Sequence, residues 1–162
     1  MKLIYENSPQ IPDIVYHGGY KMIEPNEFST QIHPCFFTPY KEYADSYAND
    51  PRHKNNITNG YHLDIKNPFH LEDPECLRIY KEEFIPWCVE KGYADDWKNQ
   101  NKLMNPTFGS LVSFVVADYL YVFLRKMRRK GIYNYDGMIV SEGVDEYEDS
   151  YVPLDNSQIS WA

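Results

Sequence analysis

Apolar spacing divides the chain into short alternating runs and a few helical faces. The run Ile11-Pro12-Asp13-Ile14-Val15-Tyr16-His17 predicts a first strand at about 13–17, with His17 at its end, and Gly18-Gly19 is expected to break it. Residues 20–33, which hold Pro25 and Asn26, read as an irregular loop. Cys35-Phe36-Phe37 then reads as a short buried strand running straight into a helix. Thr38 suits the cap of that helix and Pro39 its first position. Tyr40, Tyr43, Ala44, Tyr47 and Ala48 recur on one helical face, and Asn49-Asp50-Pro51 stops the helix. A strand-to-helix junction leaves free N–H groups and a concave corner, a common seat for a ligand. A stripe of tyrosines is also what a core-facing helix carries.

Further on, residues 51–59 read as a polar loop, and Tyr61-His62-Leu63-Asp64-Ile65 alternates as a half-buried strand. Asn67-Pro68 turns the chain, and Phe69-His70-Leu71 is a short extension. Asp73 and Pro74 open a helix to about Ile85, which Pro86 is expected to break or kink. Residues 87–104 suggest short helices with charged faces, and Asn105-Pro106-Thr107 is another break. Phe108 to Leu124 is the longest apolar run. Asp118 and its tyrosines make it a poor membrane span and a better buried helix. The basic stretch Arg125 to Lys130 complements the helix dipole, and Gly131 suits the position just past the end. Tyr135 to Val140 is a strand, Ser141 to Asp149 an acidic loop, and Tyr151-Val152-Pro153-Leu154 a last strand with Pro153 at an edge or bulge. The elements together predict an α+β fold.

Composition narrows the choices. A length of 162 residues suits a single domain over 1–162, and 43% hydrophobic with 25% charged residues marks a globular chain. The net charge of −8 argues against bulk nucleic-acid binding, though not against a small anion held by a few local cations. Cys35, Cys76 and Cys88 have no CxxC spacing, and Met1 to Asn7 has no apolar signal core, so a cytoplasmic, reducing setting is expected. His17, His33, His53, His62 and His70 form no HxH or HExxH pattern, so no metal site is expected. No GxSxG, P-loop or GxGxxG is present. A nucleophilic pair of Cys35 with His17 or His33 stays open, although the apolar surroundings of Cys35 favour an inert thiol.

Five landmarks in order carry a resemblance. Tyr16-His17-Gly18-Gly19 is similar to the Tyr-His-Gly that opens ADP-ribosyltransferase domains of the poly-ADP-ribose-polymerase and diphtheria-toxin type. Phe36-Phe37-Thr38, followed by Tyr43-Ala44-Asp45-Ser46-Tyr47-Ala48, resembles the second motif of that family, including the spacing from Phe36 to Tyr47. Asn67-Pro68, Tyr135-Asp136-Gly137 and Asp155-Asn156-Ser157-Gln158-Ile159 match small members from phages and mobile elements. The landmarks span residues 14–159.

The resemblance implies an ADP-ribosyltransferase-like fold of short-stranded mixed sheets with a helical insert at about 73–130. It implies NAD as the substrate that donates ADP-ribose, and a protein or nucleic-acid acceptor in a host cell, as for a phage effector. By resemblance His17 hydrogen-bonds the adenosine-side ribose, the Gly18 backbone meets the nicotinamide amide, and Tyr47 stacks on the ring. Phe36 or Phe37 supplies the other wall, with Thr38 and Tyr43 beside them. Gln158 is structural in the family. Two departures stand out. Phe36 replaces the tyrosine of many relatives, and the family's glutamate position falls on Ser150. The carboxylate that remains is then expected from Glu142, Asp149 or Glu148, in that order. Should none serve, the chain is a decayed binding or inhibitor module, whose acidic surface engages a basic partner. An NAD glycohydrolase and an RNA 2′-phosphotransferase are the other rivals, the second lacking an evident phosphate site.

Overall fold

The computed structural model describes residues 10–19, 21–48, 57–95, 103–104, 112–141 and 149–162. It is α+β, with a three-stranded and a four-stranded sheet and helices gathered mainly between them in sequence. In the first sheet, β2 (Ile57–Leu63) lies between β1 (Val15–Gly19) and β7 (Ile159–Trp161), antiparallel to both. In the second, β5 (Gly137–Ser141) pairs in parallel with β3 (Pro68–Phe69) and β4 (Val112–Ser113), and antiparallel with β6 (Asp149–Pro153).

Residues 37 and 38 sew the two sheets together. Thr38 exchanges backbone bonds with Tyr16 of β1, at 2.7 and 3.0 Å, and Phe37 with Tyr151 of β6, at 3.0 and 2.8 Å. The expected strand at Cys35–Phe37 is therefore only this double bridge, because each residue finds its partner in a different sheet. Helix α1 (Lys41–Ala48) follows at once. The Thr38 hydroxyl accepts from the Tyr40 N–H at 3.2 Å, and Lys41 pairs with Asp45 one turn on, at 3.1 Å.

Four expectations need correction. Gly18-Gly19 does not break β1: both glycines pair with β2, opposite Thr58 and Ile57. The supposed loop at 57–59 is the polar half of β2, held by those same partners rather than by its own pattern. Pro86 does not end a helix. The chain runs from α2 (Pro74–Ile79) through a wide π turn (Tyr80–Phe84) into α3 (Ile85–Glu90), so Pro86 falls at the first turn of α3, where its missing N–H matters least. Tyr151–Leu154 is not the last strand, since β7 follows a 3₁₀ turn at Asn156–Gln158.

The region about 73–130 is not purely helical either, since β4 joins the second sheet. Helix α4 (Phe114–Arg129) buries Leu120, Tyr121, Phe123 and Leu124 in a core shared with Phe69, Met138 and Val152. A second core lies on the other face of β6, where Tyr151 and Ile139 meet Phe37, Val15 and Tyr61. Helix α4 ends in a Schellman cap: Gly131 N–H bonds Arg128 O, Ile132 N–H bonds Met127 O, and Gly131 takes φ 71°. Among the described residues no helix is long and apolar enough to cross a membrane.

Candidate functional site

A cavity of about 250 Å³ opens where β1, the bridge residues and α1 converge. Tyr16, His17, Gly18, Phe36, Thr38, Tyr43 and Ala44 line it, with His33, Pro34 and Cys35 along one side. Two stretches far apart in sequence thus meet in space, Tyr-His-Gly and Phe-Phe-Thr with its helix. Gly18 makes the approach of α1 possible. A Cβ at Gly18 would come within 1.9 Å of the Ala44 carbonyl oxygen, so only glycine lets helix and strand meet backbone to backbone.

His17 is held by rings. Phe28 meets it edge-on at 5.1 Å between centroids, and Phe37 at 5.7 Å with a tilt of 49°. Burial pushes the pKa of His17 down to about 4, so the imidazole is neutral at physiological pH. A neutral imidazole both donates and accepts a hydrogen bond, as contact with a sugar hydroxyl requires.

The loop over His17 is tied down along its length. The Tyr61 hydroxyl donates to Ile23 O at 2.7 Å, Asn156 Nδ2 donates to Asn26 O at 3.0 Å, and Tyr121 and Arg125 of α4 both donate to Thr30 O. Beneath the site, Asp136 accepts from the Lys66 and Asn67 N–H groups at 2.9 and 2.8 Å. Gln158 Nε2 donates to Asp64 O and Asp136 O at 3.0 and 2.7 Å, clasping both sheets. Gln158 therefore stands in a structural place.

Of the residues singled out from sequence, His17, Gly18, Phe36, Thr38 and Tyr43 all line the cavity. Phe37 does not; it is fully buried, and its register opposite Tyr151 turns it into the core. The Tyr47 side chain, Glu142 and Glu148 lie outside the described residues. His33, Pro34 and Cys35 were not foreseen as lining, although they stand immediately before Phe36. Cys35 is not an activated nucleophile: burial raises its pKa to about 11, and its thiol points at His33 O, 3.9 Å away, rather than at an imidazole.

The register of β6 decides the placement of the acidic candidates. In that register Ser150 pairs with Val140 of β5, and it does not line the cavity. Ser150 is fully buried and its hydroxyl has no hydrogen-bond partner among the described residues. Asp149 falls on the opposite face with Tyr151 and does not line the cavity. Burial raises its pKa, His70 opposes that rise, and Glu72 adds to it. His70 is itself 5% exposed, with Nδ1 lacking a partner among the described residues, and burial lowers its pKa. Among the described lining residues there is no carboxylate. Nor do the described residues hold a cluster of three metal-ligating side chains.

The α+β fold, with Tyr16, His17 and Gly18 of β1 and Phe36 and Thr38 on one cavity, is consistent with an ADP-ribosyltransferase-like fold. The model of one family, ADP-ribosyltransferase in polyvalent proteins, matches residues 11–162, and the chain belongs to that family. Searches of curated proteins and of solved structures return no match.

Proposed function

We propose that this protein is an NAD-dependent ADP-ribosyltransferase, and that the cavity between β1 and α1 holds the nicotinamide end of NAD. The observation that carries the reading is the convergence of His17, Gly18, Phe36, Thr38 and Tyr43 on one cavity, within a chain of this family. Size supports an end-on fit. Pockets that enclose a whole drug-sized ligand run to roughly 300–1,000 Å³. The cavity, at about 250 Å³, suits one end of a dinucleotide.

In the reaction the bond between the nicotinamide nitrogen and the ribose anomeric carbon breaks. Its electron pair leaves with nicotinamide, which departs neutral. The acceptor's nucleophile bonds the anomeric carbon and sheds its proton. Phe36 and Tyr43 supply apolar walls for the ring, Gly18 exposes backbone to its amide, and neutral His17 binds a ribose hydroxyl. Tyr47 is the partner proposed to stack on the ring; with Asp149 off the cavity, Glu142 or Glu148 is the proposed carboxylate. Its reach to the acceptor would contribute general-base help of about 10²–10⁴-fold. The acceptor is a protein or nucleic acid of a host cell, met in the cytoplasm, in keeping with a phage or mobile-element effector.

One observation favours a second reading. The described lining of the cavity holds no carboxylate, and by the resemblance the family's glutamate position falls on Ser150. A chain so built binds NAD without turning it over and serves as a catalytically decayed binding or inhibitor module acting on a host protein. Labelled NAD offered to purified protein, with and without host-cell lysate, separates the readings. Label on one macromolecule, lost in His17→Ala, supports the transferase. Nicotinamide released without an acceptor indicates a glycohydrolase. Neither event, from folded protein that binds NAD, gives the place to the binding module.

A further inference from the structure

The chain carries 24 acidic against 16 basic residues, yet five of those 16 fall within six positions: Arg125, Lys126, Arg128, Arg129 and Lys130. They form the last turn of α4 and the step beyond it. A helix terminus carries about half an elementary charge, which one or two cations offset. Two of the five have structural work. Arg125 donates to Thr30 O, and Arg128 Nη1 donates to Asn134 O and Tyr135 O at 3.1 and 3.2 Å. Lys126, Arg129 and Lys130 form no ion pair with the described residues, whereas Arg78 on α2 is shared among Glu75, Glu82 and Glu83. That is more positive charge than the dipole needs, left without an ion pair among the described residues of an acidic protein.

Arg128 and the residues just past the end of α4, Gly131, Ile132, Tyr133 and Asn134, line an open groove of about 480 Å³, and Arg129 and Lys130 adjoin it in the chain. The groove is mixed in character: Ile132 and the half-buried Tyr133 are its apolar part, beside Arg128 and Asn134. Ile132 is 54% exposed, and Tyr133 is held by its hydroxyl, which donates to Glu83. Glu83 is in turn drawn to Arg78 at 3.4 Å. Arg78 also holds Glu75 and Glu82 on that side, and Asp155 has its pKa lowered chiefly by the Ser157 N–H and also by Arg125 and Arg128.

We propose that this groove docks single-stranded nucleic acid, with Lys126, Arg129 and Lys130 on successive phosphates and a base laid against Tyr133 and Ile132. Unpaired cations beside a fixed aromatic face are what a single strand requires, since phosphates want charge and bases want a surface to stack on. An acidic peptide would use the cations but leave that face idle. The net charge of −8 repels nucleic acid elsewhere, so docking is confined to the groove. That the docked strand is also the ADP-ribose acceptor rests on the function proposed above. The position suits it: Arg125, one turn back along α4, holds Thr30, which leads to the cavity wall at His33.

The test is fluorescence anisotropy with a labelled oligouridylate across a salt series. It contains no NAD, so it reads the groove whether or not the cavity turns NAD over. Wild-type protein is expected to bind, and Lys126→Ala/Arg129→Ala/Lys130→Ala to lose at least tenfold at low salt. Loss of three phosphate contacts should flatten the log–log salt slope by about 2. Arg129 and Lys130 are exposed and Lys126 half-buried, so an unchanged melting temperature verifies the fold. Isoleucine 132 gives a second probe, since Ile132→Ser should weaken binding without altering the slope. No binding by wild-type protein at low salt overturns the proposal, as does undiminished binding by the triple variant. Equal affinity for polyglutamate overturns the nucleic-acid assignment in favour of an acidic protein.

Discussion

Gly18 and Ala44 touch backbone to backbone: a Cβ built on Gly18 would lie 1.9 Å from Ala44 O and 2.8 Å from Ala44 C. No side-chain rotation relieves such an overlap, so Gly18→Ala must push α1 off β1 and open one wall of the cavity. Overpacking a well-packed site typically costs about 1–3 kcal/mol. Because backbone is what must move here, a loss at the upper end is expected by chemical denaturation, together with loss of NAD binding by calorimetry. Gly19→Ala is the control. Its nearest neighbour would be the His17 ring at 3.5 Å, an ordinary contact, so stability should change little.

His17 makes stability depend on pH. Its folded pKa of about 4 lies below the ordinary 6.5, so the unfolded chain takes up the proton first. This contribution is fully present above about pH 6.5 and is lost as pH falls toward 4. The full span is about 3 kcal/mol. In His17→Gln the fall in denaturation free energy between pH 7 and 4.5 should be visibly shallower than in wild type. Equal slopes would show that the ring is not buried as described.

Asp149 behaves in the opposite sense. Burial lifts its pKa above 3.8, so the folded protein holds that proton longer than the unfolded chain does. Ionising it therefore costs stability as pH rises through its folded pKa. Asp149→Asn should raise the melting temperature at pH 7 and lose that advantage near pH 4. Since Asp149 does not line the cavity, NAD turnover should survive the change. A collapse of turnover with NAD binding intact would make Asp149 the functional carboxylate.

The Asp136 carboxylate is a junction between β5 and the turn at Asn67. Asp136→Ala leaves the N–H groups of Lys66 and Asn67 without their acceptor. Lys66 is exposed and Asn67 half-buried, so water takes over part of the lost bonding, and a loss of about 1 kcal/mol is expected by urea denaturation. Gln158→Leu removes the neighbouring clasp and should couple with Asp136→Ala less than additively in a double-mutant cycle.

What could be read from the sequence was whatever is written in local periodicity. Tyr61, Leu63 and Ile65 are buried between exposed His62 and Asp64, as strict alternation requires. The long apolar run gave helix α4 and its glycine cap, though the helix starts only at Phe114. Pairing with distant partners left no such trace. Gly18, Gly19 and Ile57 to Asn59 are strand because they bond each other, not because their side chains favour it. Pro86 survives within a helical stretch because a π turn places it at a new beginning. The site followed the same division. Its motif residues were visible by type, but which of Phe36 and Phe37 faces the cavity depends on a bridge to Tyr151, 114 positions away.

The most direct measurement is an NMR titration of ¹⁵N-labelled protein with NAD, following backbone amides. If the cavity between β1 and α1 holds the nicotinamide end, the signals of Gly18, Thr38, Tyr43 and Ala44 should shift together and saturate, and nicotinamide alone should move the same subset. Shifts confined to Arg128–Asn134, or none at concentrations of NAD that saturate related transferases, would contradict the assignment of this cavity to NAD.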